Sequence, residues 1–479
     1  MRLRLRLRGL RLRLRRRRSL KSYPRMAMKT GIRAKLARLW PHQGNTSVGH
    51  RLPAPGLYHY TFEGAGEKSR IHLRADEDGS GILLVNANRV LHLNPTAVSL
   101  AYLALEKTPE NEAIKAIRKT YHVTAQQAEQ DYAKLSSQIS ELIRPDGACP
   151  ICDLEIEVTL PFSARPSAPY RMDLALTYRC NNDCAHCYNA RSRDYPEIST
   201  ADWIKIIDRL WEIGIPHIVF TGGEPTLRDD LPELISRAEK NGQITGLNTN
   251  ARRLSDPDYL HRLVDAGLDH VQITLESHEA GIHDGMVRRR GAWKQTVAGL
   301  RNALDAPLYV MTNTTMLQEN SARLGETLDF LASLGVPTLG LNALIYSGRG
   351  LNVGSGLPEN ELPPLLELAR QKTDAHEQRL IWYTPTQYCN FDPMQLELGV
   401  KGCSAALYNM CVEPDGNVIP CQSYYQPLGS LLSDPWAMIW NHPLSVSLRE
   451  RHYIPDKCHT CVLLSECGGG CPLKLQAGA

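Results

Sequence analysis

The chain has 479 residues, with 55 Lys/Arg against 51 Asp/Glu, 42% hydrophobic and 22% charged residues. That composition is ordinary for a folded globular protein and excludes wholesale disorder. No run of about 20 apolar residues occurs, so no membrane partner is expected. The net charge of +4 hides an asymmetry: residues 1–62 hold 17 Lys/Arg and no Asp/Glu, which leaves the remainder at −13. A main body built to hold nucleic acid is therefore disfavoured.

The thirteen cysteines fall in short clusters. They are Cys149/Cys152, Cys180/Cys184/Cys187, the scattered Cys389, Cys403, Cys411 and Cys421, and Cys458/Cys461/Cys467/Cys471. Disulfide frameworks belong to small secreted domains. Clustered thiolates in a chain of this size, with no secretory signal, read instead as metal or iron–sulfur ligands in the reducing cytoplasm.

Residues 1–62 read as a basic, disordered tail and linker. Residues 1–18 carry ten Arg, largely alternating with Leu. An RNA- or membrane-binding arm is one reading. Like-charge repulsion without a core pattern favours a solvated tail, or an over-extended start with Met26 or Met28 as initiator. Gly44–Gly56 reads as linker.

Residues 67–145 read as a small module. Gly81–Val85 and Val90–Leu93 are short β-type runs that predict a hairpin. Three helices follow. The first is capped by Asn94 or Thr96, the second opens on Thr108-Pro109, and the third opens on a Thr124/Gln127 capping box and runs to about Ile143. A hairpin plus three helices outlines a winged helix. Its ten basic and ten acidic residues over 66–145 give no footprint for phosphate. Peptide binding by strand addition is the alternative.

From about 170 to 350 short apolar runs alternate with helical patterns. The runs are Asp173–Tyr178, His217–Thr221, Ile244–Thr249, His270–Glu276, Leu308–Thr315 and Thr338–Leu344. Gly214, Gly242, Gly267 and Gly335 stop the helices between them. Such alternation predicts right-handed crossovers and a parallel sheet, with the site at the carboxyl ends of the strands. Cys180, Cys184 and Cys187 follow the first strand. Three thiolates can hold three irons of a [4Fe–4S] cluster and leave the fourth open to a chelating molecule. A structural zinc site is closed by four ligands, and His186 is wedged between Cys184 and Cys187 with its side chain expected elsewhere. The second strand ends in Thr221-Gly222-Gly223-Glu224-Pro225. The glycines let a ligand approach the backbone, and Glu224 offers a carboxylate to an ammonium group.

This pair of motifs resembles the radical S-adenosylmethionine (SAM) enzymes. The resemblance implies a [4Fe–4S] cluster held by Cys180, Cys184 and Cys187. It implies SAM held by the Gly222, Gly223, Glu224, Pro225 motif, with His186 near the adenine. Thr274, Asn313 and Arg349 are further SAM contacts by resemblance. The run "GILLVNANRVLHLNPTAVSLAYLAL" with the helices after it resembles the PqqD-like precursor-peptide recognition elements. That implies a leader peptide bound by residues 67–145.

Residues 386–479 hold Cys403-x12-Gly416-x4-Cys421 and Cys458-x2-Cys461-x5-Cys467-x3-Cys471, with a hairpin turn at Asp415-Gly416. A single zinc on the last four cysteines is the alternative reading. The ordered set resembles the SPASM extension of peptide-modifying radical SAM enzymes, but without a further cysteine after Cys471. By that resemblance Cys403, Cys421 and Cys471 serve one auxiliary cluster, with Cys389 or Cys411 as fourth ligand. Cys458, Cys461 and Cys467 serve a second, whose fourth ligand is whichever of Cys389 and Cys411 remains, one of Cys149/Cys152, or absent. One or two auxiliary [4Fe–4S] clusters are thus implied.

The expected fold is α/β, a partial (β/α)6 TIM-like barrel. It carries an N-terminal winged-helix-like module and a C-terminal cysteine-rich SPASM extension. The expected activity is reductive SAM cleavage to a 5′-deoxyadenosyl radical that modifies a ribosomally made precursor peptide. A flavodoxin- or ferredoxin-type electron donor is the expected second partner. A tetrapyrrole or other small metabolite is the alternative substrate. No general acid or base can be singled out from the sequence.

Overall fold

The computed structural model describes residues 52–64, 67–86, 89–142 and 166–478. The Arg-rich segment, Cys149, Cys152 and the end expected for the third helix at Ile143 lie outside the described residues. The first element is a four-stranded antiparallel sheet in the order β1-β2-β3-β4: β1 Gly56–Gly64, β2 Glu67–Ala75, β3 Gly81–Val85 and β4 Arg89–Leu93. The expected hairpin is its β3–β4 half. The expected linker boundary at 62 is corrected, because β1 already starts at Gly56. Three helices follow: α1 Pro95–Leu105, α2 Glu110–Thr120 and α3 Ala125–Leu142. Asn94 caps α1 by accepting from the Ala97 N–H at 2.9 Å. Pro109 rather than Thr108 holds the capping position of α2, and no side chain caps it. Only half of the α3 capping box forms. Thr124 Oγ1 accepts from the Gln127 N–H at 3.2 Å, while the Gln127 amide turns to Asp131.

All six predicted strands form: β5 Arg171–Thr177, β6 His217–Gly222, β7 Ile244–Thr249, β8 His270–Thr274, β9 Tyr309–Thr315 and β10 Thr338–Asn342. They run parallel in chain order. Their alternate residues Met172, Leu174, Ile218, Phe220, Leu247, Val271, Ile273, Leu339 and Leu341 form one apolar core with the crossover helices. Those include α4 Thr200–Ile213 and α5 Leu231–Asn241, each ended by a glycine in the left-handed region, Gly214 at φ +92° and Gly242 at φ +91°. The sheet exceeds the six strands expected. Strand β11, Arg379–Trp382, adds in parallel to β10, and β12, Asn409–Val412, adds in parallel to the other edge at β5. The antiparallel β13 Asn417–Ile419 and β14 Gly429–Ser430 continue from β12, so the cysteine-rich extension shares the barrel sheet. Among the described residues no helix is long and apolar enough to cross a membrane.

Strand β2 is buried on both faces. Ile71 and Leu73 enter the module's own core. The alternate Arg70, His72 and Arg74 are 4%, 1% and 2% exposed against the barrel. Each meets the carboxyl end of a helix, where carbonyls lack partners and the dipole is negative. Arg74 Nη1 donates to the carbonyls of Ala168 at 3.0 Å and Gly214 at 3.3 Å. His72 Nε2 lies 2.7 Å from the Gly242 carbonyl oxygen. Arg70 donates to the Gln243 carbonyl at 3.2 Å and pairs with Glu239 and Asp269. Burial pushes His72 down to about 3, and pushes His270, buried beside His217, down to about 4.

The unfolded chain protonates these imidazoles near pH 6.5, whereas the folded chain does not until well below. Their contribution to stability is complete above about pH 6.5 and is lost as pH falls toward the folded values. Urea unfolding followed from pH 7 to pH 4 should show a falling midpoint, each such histidine contributing a slope of about 1.4 kcal/mol per pH unit. His72→Gln should flatten that slope.

Candidate active site and cysteine groups

The cysteine loop leaves the end of β5 and is clamped by main chain. The Gly223 N–H donates to the Thr177 carbonyl at 2.7 Å and the Glu224 N–H to the Arg179 carbonyl at 2.8 Å. Gly222 sits at φ +135°, and a Cβ there would lie 2.1 Å from the Thr177 carbonyl oxygen. A Cβ on Gly223 would lie 2.4 Å from that of Arg179. In this structure the glycines admit a neighbouring backbone, the root of the cysteine loop.

The rest of the loop is pinned on every side. The Asp183 and Ala185 N–H groups donate to Val287 and Met286 carbonyls at 2.9 Å, and the Arg349 N–H donates to the Cys187 carbonyl at 2.9 Å. Arg193 Nη1 reaches the Cys180 carbonyl at 3.0 Å, and Arg252 Nη1 the Asn181 carbonyl at 2.5 Å. Arg349 Nη1 pairs with Asp183 at 2.5 Å. The three thiols converge enough to perturb one another. Cys180 is pushed up to about 11 by burial, then by the Glu224 charge, with a contribution from Cys187. Cys184 is raised by burial, then by Cys187, Glu276 and Cys180. Such thiols stay protonated at neutral pH until a metal displaces their protons. Among the described residues no three His, Cys, Asp or Glu groups converge on one ion position.

His186 is turned away from these sulfurs. Its Nε2 lies 3.0 Å from Oε1 of Glu276, a carboxylate at 0% exposure just beyond β8. Burial opposes charge on His186, but the Glu276 carboxylate outweighs it and its pKa is raised. Nδ1 of His186 is buried without a partner. The loop therefore offers three sulfurs and no fourth ligand from His186, which fits a cluster with one iron left open.

Glu224 is held by its own side chain as well as its backbone. It is 1% exposed, and its carboxylate accepts from Thr226 N at 3.2 Å, Thr226 Oγ1 at 2.7 Å, Thr249 Oγ1 at 2.6 Å and Asn250 N at 2.8 Å. Three of these donors gather on Oε1 and one on Oε2, so Oε2 keeps an acceptor direction open. Its side chain ties the motif to the end of β7. Pro225 opens a buried 3-10 turn, Pro225–Leu227, directly after it. Thr274 ends β8 in register with Asn313 of β9, and Asn313 Oδ1 accepts from Asn342 Nδ2 at 3.0 Å. Sequence reading missed Asn250, whose Nδ2 lies 4.0 Å from Cys180 Sγ, and also Arg193, Arg252, Glu276 and Asn342. Most of these stand at or just beyond a strand's carboxyl end, which was the available signal.

Seven of the other described cysteines form two groups. Cys403 is raised by burial, then by the thiols of Cys471 and Cys421. Cys421 is pushed up to about 12 by burial, with Cys471 adding to it. Cys458 is raised by burial, then by Cys467, Cys389 and Cys461. The Tyr388 N–H donates to Cys467 Sγ at 3.4 Å, which brings Cys389 to the second group. Cys411 is fully buried in β12, packed with Ala175, Tyr178 and Ile419.

The sequence matches the radical SAM superfamily over residues 174–331 and the SPASM iron–sulfur cluster-binding domain over 403–462. A PqqA peptide cyclase of Bradyrhizobium diazoefficiens is 30% identical over 320 residues, spanning 63% of this chain and 81% of that protein. An Fe-coproporphyrin III synthase of Methanosarcina barkeri is 27% identical over 333 residues, 63% of this chain and 83% of that one. In fold, the chain is similar to Streptococcus suis SuiB, crystallised bound to its precursor peptide SuiA. The TM-score is 0.63 at 16% identity, over 85% of this chain and 95% of that one. The chain belongs to the radical SAM superfamily, in the branch that carries a SPASM domain. It is a radical SAM enzyme, whose cofactors are a [4Fe–4S] cluster, SAM and auxiliary iron–sulfur clusters.

Gly223→Ala should displace the root of the cysteine loop while leaving the auxiliary groups intact. Iron and sulfide per reconstituted chain should fall by the equivalent of one cluster. Undiminished iron with an unchanged SAM response would contradict the clamp.

Proposed function

We propose that this enzyme modifies a ribosomally synthesised precursor peptide. The observation that carries this reading is a strand-and-helix module, residues 56–142, built onto a radical SAM barrel through the buried face of β2. We assign it a PqqD-like role, binding the leader by strand addition at a sheet edge. Recognition in the same chain raises the effective concentration of substrate at the radical site. The named activity of the PqqA peptide cyclase relative supports a peptide substrate.

Cys180, Cys184 and Cys187 hold the radical cluster in this reading. When bound, the cluster and SAM supply a 5′-deoxyadenosyl radical for hydrogen abstraction. The main chain of Gly222 and Gly223 lines the SAM amino group, and His186 presents its unpartnered Nδ1 to the nucleoside. Thr274, Asn313 and Arg349 complete the cradle. Cys389, Cys458, Cys461 and Cys467 form a four-thiol set for one auxiliary cluster. Cys403, Cys421 and Cys471 form a three-thiol set for the other. A low-potential flavodoxin- or ferredoxin-type donor supplies the electron, in the cytoplasm, where thiolates stay reduced.

A tetrapyrrole substrate is the second reading, favoured by the likeness to the Fe-coproporphyrin III synthase. Anaerobic assays with SAM, reductant and candidate short peptides distinguish the two. SAM should be cleaved, and cleavage should vanish in Cys184→Ala. A peptide should change in mass or stereochemistry, and removing its leader should reduce turnover at least tenfold. Turnover of a porphyrin with every peptide unchanged would overturn the peptide reading.

A further inference from the structure

The cysteine loop and the first auxiliary loop are joined by residues that directly follow their ligands. Tyr188, next after Cys187, donates its Oη–H to Oε1 of Gln422, next after Cys421, at 2.8 Å. A second arm closes the ring. Ser347 Oγ donates to the Ser423 carbonyl at 2.8 Å, and two residues on, the Arg349 N–H donates to the Cys187 carbonyl at 2.9 Å. Ser347 and Ser423 are 6% and 5% exposed. Aromatic packing backs the clasp. Tyr425 Oη donates to the Gln422 carbonyl at 2.9 Å, and the Arg191 guanidinium stands 5.3 Å from the Tyr425 ring centre. Arg191 is held by Glu413 through two bonds of 2.7 and 2.8 Å.

The geometry points to a mechanical coupling between the radical loop and the first auxiliary loop, carried by the Tyr188–Gln422 and Ser347–Ser423 hydrogen bonds. The coupling rests on the reading that Cys180/Cys184/Cys187 and Cys403/Cys421/Cys471 hold clusters. Hydrogen bonds and backbone placement around sulfur ligands tune a cluster's potential. Two bonds between the ligand loops, one part-buried and one buried, make each loop part of the other's surroundings. Tyr188, Gln422 and Ser347 are thus positioning residues for both clusters. Among the described residues no hydrogen bond joins the loop to the Cys389/Cys458/Cys461/Cys467 segments, whose sulfur contacts are local. The second auxiliary set stands outside the clasp.

The test is a redox titration of the reconstituted full chain followed by electron paramagnetic resonance, with the radical cluster picked out by its response to SAM. Tyr188→Phe should shift the potential of the first auxiliary cluster, although Tyr188 lies on the barrel loop. Gln422→Leu should shift that of the radical cluster. The double variant should add nothing beyond the larger single effect, because both changes break one bond. Ser347→Ala, on the other arm, should move both clusters and carries the test if Tyr188→Phe fails to fold. Tyr195→Phe removes a tyrosyl bond to Asp415 of similar length, 2.8 Å, and should move neither. Variants that perturb only the cluster on their own loop, or that add, would overturn the coupling. Wild-type protein lacking iron and sulfide would overturn the cluster reading beneath it.

Discussion

The close approach of Gly222 and Gly223 to the main chain of Thr177–Arg179 is the constraint on which the site depends. With contacts of 2.1 and 2.4 Å awaiting any Cβ, no residue with a side chain fits there without moving the root of the cysteine loop. The two hydrogen bonds from Gly223 and Glu224 then fix where the loop leaves β5. The Glu224 carboxylate extends the same clamp to β7 through Thr249 and Asn250. The neighbouring Asn250 amide reaches back to Cys180. Three successive strands thereby share one rigid corner. The sulfur donors inherit their placement from backbone contacts, with little left to loop flexibility.

Much of this was legible in the sequence. The barrel strands were found within about two residues of their observed ends, because apolar runs and helix-stopping glycines punctuate them strongly. What escaped had a common physical cause, polar side chains buried by partners distant in sequence. Arg70, His72 and Arg74 alternate with apolar residues and look like a solvated strand face, yet they are sealed against helix ends more than 90 residues away. The donors that hold the Glu224 carboxylate come partly from the end of the next strand, which the motif alone does not reveal. Strand β11 is short and joins the sheet only through tertiary pairing, whereas β12 and β13 form the hairpin expected about Asp415-Gly416 and only the pairing of β12 with β5 was hidden.

The extension likewise proves to be part of the barrel sheet. Strand β12 pairs with β5, the strand that launches the cysteine loop, so the two sulfur regions share a frame. The N-terminal module is braced against the carboxyl ends of helices, opposite the strand ends that carry the site. Under the proposed leader-binding role, a substrate held by the module and modified at the site would span the barrel, as an extended polypeptide can.

The central claim is that three thiols hold a cluster with one iron left open to SAM. Mössbauer spectroscopy of protein reconstituted with isotopically enriched iron tests it most directly. The account predicts that one iron of the cluster on Cys180, Cys184 and Cys187 changes its isomer shift when SAM is added, while its other irons do not. A spectrum indifferent to SAM, or a loop that takes up zinc in place of iron, would contradict it.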